Sequence, residues 1–300
     1  LASNQRLKTL MKTELKEDAQ KYGDERRTLI IERRGAQAIK EVELTAVEPV
    51  TVVLSAGGWV RAAKGHEVDP IGLTYKAGDE FLSAARGKTI HPAIFFDSGG
   101  RSYSLPAHTL ASARGQGQPL TGKLTPSNGA RFLAVIMGLP DQKVLLASDA
   151  GYGFITDIAN MVTKNTKGKA MLSVPRDCEP LPPVYVNNYE TDHLAAITTE
   201  GRMLVIPVKA LPELPRGKGN KVIQIPPARL KKREEYLKLL EVIPAGATMK
   251  IHAGKQSVRF TPGNISDFIG ERGRRGKKLP RGYRKVDRVE VIRQLSDGGL

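Results

Sequence analysis

Four short stretches combine glycine with lysine or arginine, a combination suited to binding phosphate groups. They are "RGQGQPL" from residue 114, "TKGKAML" from 166, "RGKGNKVI" from 216 and "RGRRGKKL" from 272. Cationic side chains and loop N–H groups can both contact an anion. A turn needs glycine but has no need of cations, so the recurrence predicts that these loops contact a polyanion.

The positive charge of the chain is concentrated around two of these loops. The 300 residues carry a formal net charge of +16. Residues 214 to 233 hold seven Lys or Arg and no acid, and residues 271 to 288 hold nine against two acids. This surplus predicts attraction to a polyanion, and it predicts a basic arc if the loops share one edge of the fold.

Catalytic and metal-binding chemistry is not indicated. The stretch "RGKT" at 86 to 89 resembles half of a Walker loop, but Leu82 stands where that loop needs glycine. The five histidines lack ligand spacing, and the single Cys178 excludes an internal disulfide and every multi-cysteine metal motif. The sequence therefore predicts no catalytic residue and no metal ligand. The longest apolar run, residues 132 to 139, is too short for a membrane span.

The first element that could position the loops is a helix. Leu7, Leu10, Met11 and Leu15 follow helical spacing, which predicts one amphipathic helix over residues 3 to 22 that stops at glycine. The opening stretch is too charged for a signal peptide and lacks an initiator methionine. We expect it to be the tail of a longer polypeptide.

After the helix, short β-type runs repeat around a glycine turn. The turn glycines are Gly58, Gly100, Gly151, Gly201 and Gly254, spaced by 42, 51, 50 and 53 residues. A period near 50 is typical of propeller blades, and glycine supplies the positive φ of a hairpin turn. The pattern predicts five four-stranded blades in a ring or open spiral, with the basic loops recurring at one place in the unit.

The recognition features that the sequence lacks indicate which kind of polyanion the loops contact. Aromatic residues are only 5% of the chain, and packing between blades is the expected role of Trp59, Tyr103 and Tyr152. These features argue against single-strand stacking, and recognition helices, zinc fingers and RNA-binding signatures are missing. Backbone contact with duplex DNA remains. The predicted contact residues are Lys64, Lys88, Arg114, Lys123, Lys164, Lys167, Lys169, Arg216, Lys218, Lys221, Arg272, Arg274, Arg275, Lys277, Lys278 and Arg281.

Several motifs together resemble the C-terminal domain of the A subunit of bacterial type IIA topoisomerases. They are "YGDERRT" at 22 to 28, "GWVRAAKGH", "ARGQGQPLTGKL", "ASDAGYGF", "GRMLVIPV", "RGKGNKVI" and "GERGRRG", and the likeness covers almost the whole chain. Within that family the chain is more similar to topoisomerase IV than to gyrase. The gyrase box Gln-Arg-Arg-Gly-Gly-Lys-Gly has only a partial trace here, in residues 273 to 277.

The resemblance implies an all-β fold, a five-bladed β-pinwheel preceded by one α-helix. Residues 1 to 25 would be the helical tail of a catalytic region outside this chain, and residues 26 to 295 would form the DNA-binding pinwheel. The catalytic tyrosine of the family would lie in that absent region. ATP and Mg²⁺ would belong to the holoenzyme, so no cofactor is expected in this chain.

The resemblance also implies partners and a location. The partners would be double-stranded DNA, the B subunit of topoisomerase IV and a second A subunit, in the cytoplasm at the nucleoid. The expected role is to bend and present DNA for decatenation and supercoil relaxation, without stable wrapping in one hand. Three alternatives stay open at this point: a gyrase-type wrapping domain, an RNA-binding propeller, and a protein-binding propeller whose basic loops only maintain solubility.

Overall fold

The computed structural model describes residues 3 to 25 and 46 to 292. The chain divides into two compact units, residues 1 to 43 and 44 to 300. The predicted start of the pinwheel at residue 26, its predicted end at residue 295, and the last three residues of the "YGDERRT" motif lie outside the described residues.

The described part of the first unit is helix α1 (Asn4–Tyr22). It confirms the helix predicted over residues 3 to 22, with Ser3 at its N-cap and Gly23 at its C-cap. None of its residues is buried among the described residues. Within the described ranges, no helix has the length and apolar content needed to cross a membrane.

The described part of the second unit is built from short strands and three short helices. In chain order these are β1 (Pro49–Ser55), β2 (Trp59–Lys64), β3 (Phe81–Lys88), β4 (Pro92–Asp97), β5 (Arg101–Pro106), β6 (Gln118–Pro119), β7 (Phe132–Ile136), β8 (Lys143–Ser148), β9 (Tyr152–Asp157), α2 (Ile158–Met161), β10 (Lys169–Ala170), β11 (Val184–Val186), β12 (His193–Thr198), β13 (Arg202–Pro207), β14 (Asn220–Lys221), α3 (Pro227–Lys231), β15 (Leu237–Ile243), β16 (Thr248–Ala253), β17 (Gln256–Phe260), α4 (Pro262–Ser266), β18 (Lys277–Lys278) and β19 (Arg288–Ile292). Single 3₁₀ turns occupy Ala107–Thr109, Leu120–Gly122 and Val208–Ala210.

The strands form five antiparallel sheets, which are the five predicted blades. From inner to outer edge, blades 1 to 4 have the orders β3-β1-β2-β6, β7-β4-β5-β10, β11-β8-β9-β14 and β15-β12-β13-β18. Blade 5 has three strands among the described residues, in the order β19-β16-β17. The inner edges of all five blades line one shared cavity.

In blades 1 to 4 the middle two strands form the predicted hairpin, and in blade 5 β16 and β17 form it. The turn glycine has φ between 58° and 82° in all five blades, the left-handed region that glycine favours. In blades 1 to 4 the carbonyl of this glycine also accepts a hydrogen bond from a residue that follows the outermost strand. The accepted N–H groups are those of Leu120, Leu172, Val222 and Leu279.

In blades 1 to 4 the outermost strand comes from the next repeat. After its own hairpin the chain crosses back to the preceding blade, adds a two-residue strand there, and returns to form its own inner strand. These crossing segments are the four basic glycine loops. The loops therefore recur because each one joins a pair of neighbouring blades.

Glycine is required where a loop passes against the neighbouring strand. At Gly219, φ is 75°, and a β-carbon would lie 2.2 Å from the carbonyl oxygen of Gly153. At Gly276, φ is 72° and the distance from the carbonyl oxygen of Met203 would be 2.7 Å. A side chain would clash with the backbone at either position, so the glycine of these loops is part of the scaffold.

Alternating residues of each middle strand bury themselves against the two neighbouring blades. In β4, Phe95 packs toward blade 1 with Leu54, and Phe96 packs toward blade 3 with Phe154. This is the period of two that a strand buried on both faces requires. Two further apolar clusters join blade 3 to blade 4 and blade 4 to blade 5.

The two terminal blades end the series differently. Blade 5 is apolar toward blade 4, but its other face carries the polar contact between the His252 imidazole and the Glu290 carboxylate. The corresponding face of blade 1 is covered by residues 65 to 80, where the Arg61 guanidinium donates to the carbonyl of Thr74 and lies 4.6 Å from the Tyr75 ring. Among the described residues, no apolar cluster joins blade 5 to blade 1.

Candidate nucleic-acid interface

The two densest basic runs of the sequence lie side by side. The Gly273 N–H donates to the carbonyl of Val222 over 2.8 Å, and the Gln224 N–H donates to the carbonyl of Arg274 over 2.9 Å. We call this pair of segments, residues 216 to 224 and 271 to 278, the seam. It follows the outer edge of the unit where blade 3 meets blade 4.

The sixteen predicted contact residues are all described, and most are exposed. Only Lys169, Lys221 and Arg275 are half-buried. Seven have no side-chain hydrogen bond, ion pair or ring contact with any described residue, which leaves their charge available to a ligand. These seven are Lys88, Arg114, Lys164, Lys167, Arg216, Lys278 and Arg281.

Other predicted contact residues are held by local partners. The Lys64 ammonium pairs with Glu48 at 3.0 Å, and the Arg274 guanidinium pairs with Glu271 at 2.7 Å. Three ammonium groups donate to backbone carbonyls of the loops, and one guanidinium does the same. These are Lys123 to Thr109, Lys169 to Asn160, Lys277 to Asp267 and Arg272 to Lys221. Contact of these residues with DNA stays a prediction.

The first residue after the hairpin glycine has a recurring environment at the outer edge. In blades 1 and 3 it is aromatic and lies under a lysine. The Lys76 ammonium is 3.3 Å from the centre of the Trp59 ring, and the Lys218 ammonium is 3.9 Å from that of Tyr152. Packing between blades, the predicted role, is confirmed only for Tyr103, whose buried ring belongs to the apolar cluster that joins blade 2 to blade 1.

Blades 2 and 4 have arginine at the same place. The Arg101 guanidinium donates to the carbonyl of Gly168 over 2.8 Å, and the Arg202 guanidinium donates to the carbonyl of Gly276 over 3.0 Å. Each arginine therefore fastens the crossing loop that forms the outer strand of its blade. Neither residue was among the predicted contacts. Their structural role could not be predicted either, because nothing in the local sequence indicates that these two arginines bind the backbone of a loop.

A buried glutamate lies beneath the seam. Glu235 is fully buried, and its carboxylate accepts hydrogen bonds from both terminal nitrogens of Arg275, at 2.6 and 2.5 Å. It also accepts from the Thr198 hydroxyl at 3.2 Å and pairs with Arg229 at 3.3 Å. Burial alone would raise the pKa of Glu235, but the hydrogen bonds and charge of Arg275, together with Thr198 and Arg229, outweigh burial and hold that pKa below its ordinary value.

A second buried acid, in the hairpin turn of blade 3, pairs with the segment that precedes β15 of blade 4. Asp149, only 3% exposed, pairs with the Arg233 guanidinium at 2.8 Å. Arg233 has φ of 56°, an unusual conformation for a residue with a side chain. Burial and the neighbouring Asp149 raise the pKa of the Cys178 thiol. The thiol is therefore neutral, as expected for an unreactive cysteine.

The shared cavity has a volume of about 1050 Å³ and is lined by residues of all five blades. Among the described residues that line it, the one acid is Glu241 on β15, and burial raises the pKa of Glu241 to about 7. Burial, with Lys88 nearby, lowers the pKa of His91 on the opposite wall. Among the described residues, no three side chains of His, Cys, Asp or Glu lie close enough to hold a metal ion.

Comparison with known proteins identifies the family. The A subunit of DNA topoisomerase 4 from Pseudomonas aeruginosa is 52% identical over 97% of this chain, and that from Escherichia coli is 49% identical over the same share. A solved structure described as the E. coli ParC C-terminal domain is 50% identical, with a TM-score of 0.74, over 81% of this chain and 98% of that domain. The chain belongs to the family of C-terminal domains of the topoisomerase IV A subunit.

Family membership confirms the predicted pinwheel fold. Residues 142–177 and 192–242 match the family model described as the DNA gyrase C-terminal domain, beta-propeller. A solved DNA gyrase A C-terminal domain has a TM-score of 0.58 at 12% identity, a likeness of fold alone. The chain spans about two fifths of the length of the topoisomerase 4 relatives, 39% and 38% for the two compared above.

Proposed function

We propose that this domain binds duplex DNA along the outer edges of its blades, without reading sequence. The observation that carries the proposal is the seam, where exposed cations from two basic runs line one edge. Guanidinium and ammonium groups held this way neutralise phosphates and release counterions, which gives affinity without base readout. The crossing loops supply further exposed cations on blades 1 and 2.

We further propose that the domain presents the bound segment to the catalytic core of topoisomerase IV, and so serves decatenation and supercoil relaxation. In this proposal the B subunit and a second A subunit join through the part of the enzyme outside this chain, at the nucleoid in the cytoplasm. ATP and Mg²⁺ act in that core, and no cofactor acts in this domain. The reacting tyrosine also belongs to that core.

The domain bends a short DNA segment but does not wrap it stably in one hand. Bending 20 to 30 base pairs by 40 to 90° costs on the order of 1 to 6 kcal/mol, which phosphate contacts along the whole path must offset. The exposed cations are dense at the seam, whereas the loop of blade 1 mixes Lys76 with Glu67, Asp69, Asp79 and Glu80. The series of blades also lacks an apolar contact between its described ends.

Binding of the domain to linear duplex DNA, titrated with salt, tests the proposal. We expect log K to fall by about 0.9 per log salt for each phosphate neutralised, with structured RNA a weaker competitor at matched salt. The linking number of relaxed plasmid, closed in the presence of the domain, should not change in one direction. A flat salt dependence would contradict DNA binding, stronger competition by RNA would favour an RNA-binding propeller, and a one-signed linking change would favour gyrase-type wrapping.

A further inference from the structure

Glu235 holds three separate segments together beneath the seam. Its partner Arg275 comes from the basic loop 271 to 278, and Thr198 comes from the hairpin turn of blade 4. Arg275 also donates to the carbonyl of Gln224 over 3.2 Å, which adds the segment that follows β14. One carboxylate therefore fixes the basic loop both to its own blade and to the preceding crossing segment.

A negative charge at this position opposes attraction to a polyanion. Glu235 lies within the most basic edge of the domain, where a neutral residue would leave two more arginine charges free for phosphate. Burying an ion pair also costs desolvation, and such a pair stabilises the fold only when the remaining hydrogen bonds are satisfied. Here they are satisfied, because the carboxylate accepts from three groups and contacts a fourth.

We call the ion pair between Glu235 and Arg275 the clasp. The backbone hydrogen bonds beside the clasp show which segments the Glu235 carboxylate holds in place. The two hydrogen bonds that join the seam, from Gly273 to Val222 and from Gln224 to Arg274, lie next to Arg275 and Gln224. Arg272 and Lys278, on either side of Arg275 in the loop, are exposed. The clasped arginine thus faces inward while its neighbours in the same loop face solvent.

We infer that Glu235 is a positioning residue of the DNA-binding surface. Through Arg275 it holds the loop 271 to 278 in the one arrangement that directs Arg272 and Lys278 outward. Arg275 is then the internal clamp of the loop and not a phosphate ligand. This inference rests on the proposed function, and it assigns a favourable effect on DNA affinity to an acidic side chain.

The adjacent Glu234 provides a matched control with the same change of charge. Glu234 is exposed and lies 3.6 Å from Arg229, outside the clasp. We expect Glu234→Gln to leave DNA affinity unchanged or to raise it about twofold, because it removes one negative charge from a basic edge. We expect Glu235→Gln to lower affinity about tenfold, although it changes net charge equally. Equal or higher affinity in Glu235→Gln than in Glu234→Gln would overturn the inference.

Hydrogen exchange separates positioning from loss of the fold. In Glu235→Gln, the amides of Gly273 and Gln224 should exchange at least tenfold faster, with the amides of β4 in blade 2 unchanged. If Glu235→Gln does not fold, the variant Arg275→Lys keeps the positive charge, loses the two-pronged contact and should show the same faster exchange and weaker binding. Unchanged exchange in the folded variant would overturn the inference. If the wild-type domain binds no duplex DNA, the proposed function fails, and exchange alone then decides whether Glu235 fixes the loop.

Discussion

The outer edges of blade 1 and blade 4 use one backbone device with different side chains. At blade 1 the crossing loop brings Gln118–Pro119 beside β2, and at blade 4 it brings Lys277–Lys278 beside β13. Both loops turn at a glycine with positive φ. In both, a backbone N–H that follows the short outer strand donates a hydrogen bond to the carbonyl of the hairpin glycine. The backbone of the repeat is therefore constant across these two blades.

The side chains of the two edges are not constant. Blade 1 places a lysine on the Trp59 ring and covers Arg61 with an uncharged ring and carbonyl groups. The edge of blade 4 holds the buried Glu235 clasp and a dense row of cations. Glycine in these loops therefore belongs to the fold shared by the blades, whereas the cations and their buried partners belong to individual blades.

The largest expected effect tests the shared backbone. Gly117→Ala and Gly276→Ala should each destabilise the domain by about 3 kcal/mol, because a β-carbon would meet a strand carbonyl at 2.4 and 2.7 Å with φ of 88° and 72°. Thermal unfolding measures the effect in both blades. Gly115→Ala is the control, because its β-carbon would meet nothing within 4 Å. A large loss in one blade and none in the other would show that the repeat is not structurally equivalent.

Sequence reasoning reached the fold because its strongest signals are local. Each turn glycine and the apolar alternation around it act within about ten residues, so the hairpins and the blade count could be predicted. The crossing of each loop to the preceding blade could not, because a two-residue strand carries almost no pattern of its own. Its partner lies more than 50 residues away in sequence, as Lys221 does from Tyr152.

The candidate site was predictable in composition but not in detail. The clustering of cations in two runs of the sequence predicts a basic edge, and the seam is where those two runs meet. Glu235 could not be found, because the pair Glu234-Glu235 in a charged run is typical of a solvated surface, and only the fold buries one of the two. Arg229 and Arg233 were missed as partners of buried acids for the same reason.

The next effect tests the difference between the edges. Replacing Lys218, Arg272 and Lys278 by Gln should weaken DNA binding roughly 100-fold and reduce the salt slope by about 2 to 3, since each phosphate contributes about 0.9. Replacing Arg114, Lys123 and Lys167 by Gln removes the same charge from the crossing loops on blades 1 and 2 and should weaken binding less than tenfold. Binding assays at several salt concentrations measure both, and thermal melting checks that neither set unfolds the domain. Equal losses in the two sets would mean that DNA follows all the edges alike.

The smallest effect contrasts two carboxylates of blade 4, the fully buried Glu235 under the seam and the half-buried Glu241 in the cavity. Hydrogen bonds keep the pKa of Glu235 low, so its contribution to stability is present above its ordinary pKa and is lost only as pH falls. Glu241 has the opposite sign, because burial raises its pKa from an ordinary 4.5 to about 7. Between those values the folded state holds a proton that the unfolded state releases. Stability is therefore full below pH 4.5 and falls as pH rises through about 7.

The variant Glu241→Gln replaces the titrating carboxyl group by an amide, which does not exchange a proton on unfolding in this pH range. Relative to wild type, we expect it to gain on the order of 2 kcal/mol of stability at pH 8 and almost nothing at pH 4.5, as a raised carboxyl pKa requires. Denaturant unfolding at the two pH values measures the difference, and Glu80→Gln on the exposed loop of blade 1 is the control for the change of charge. A gain equal at both pH values would mean that the substitution acts through packing in the cavity. A gain of stability only at low pH would mean that the pKa of Glu241 is lowered and not raised. The Glu241 carboxylate would then lie close to a cation, as that of Glu235 does.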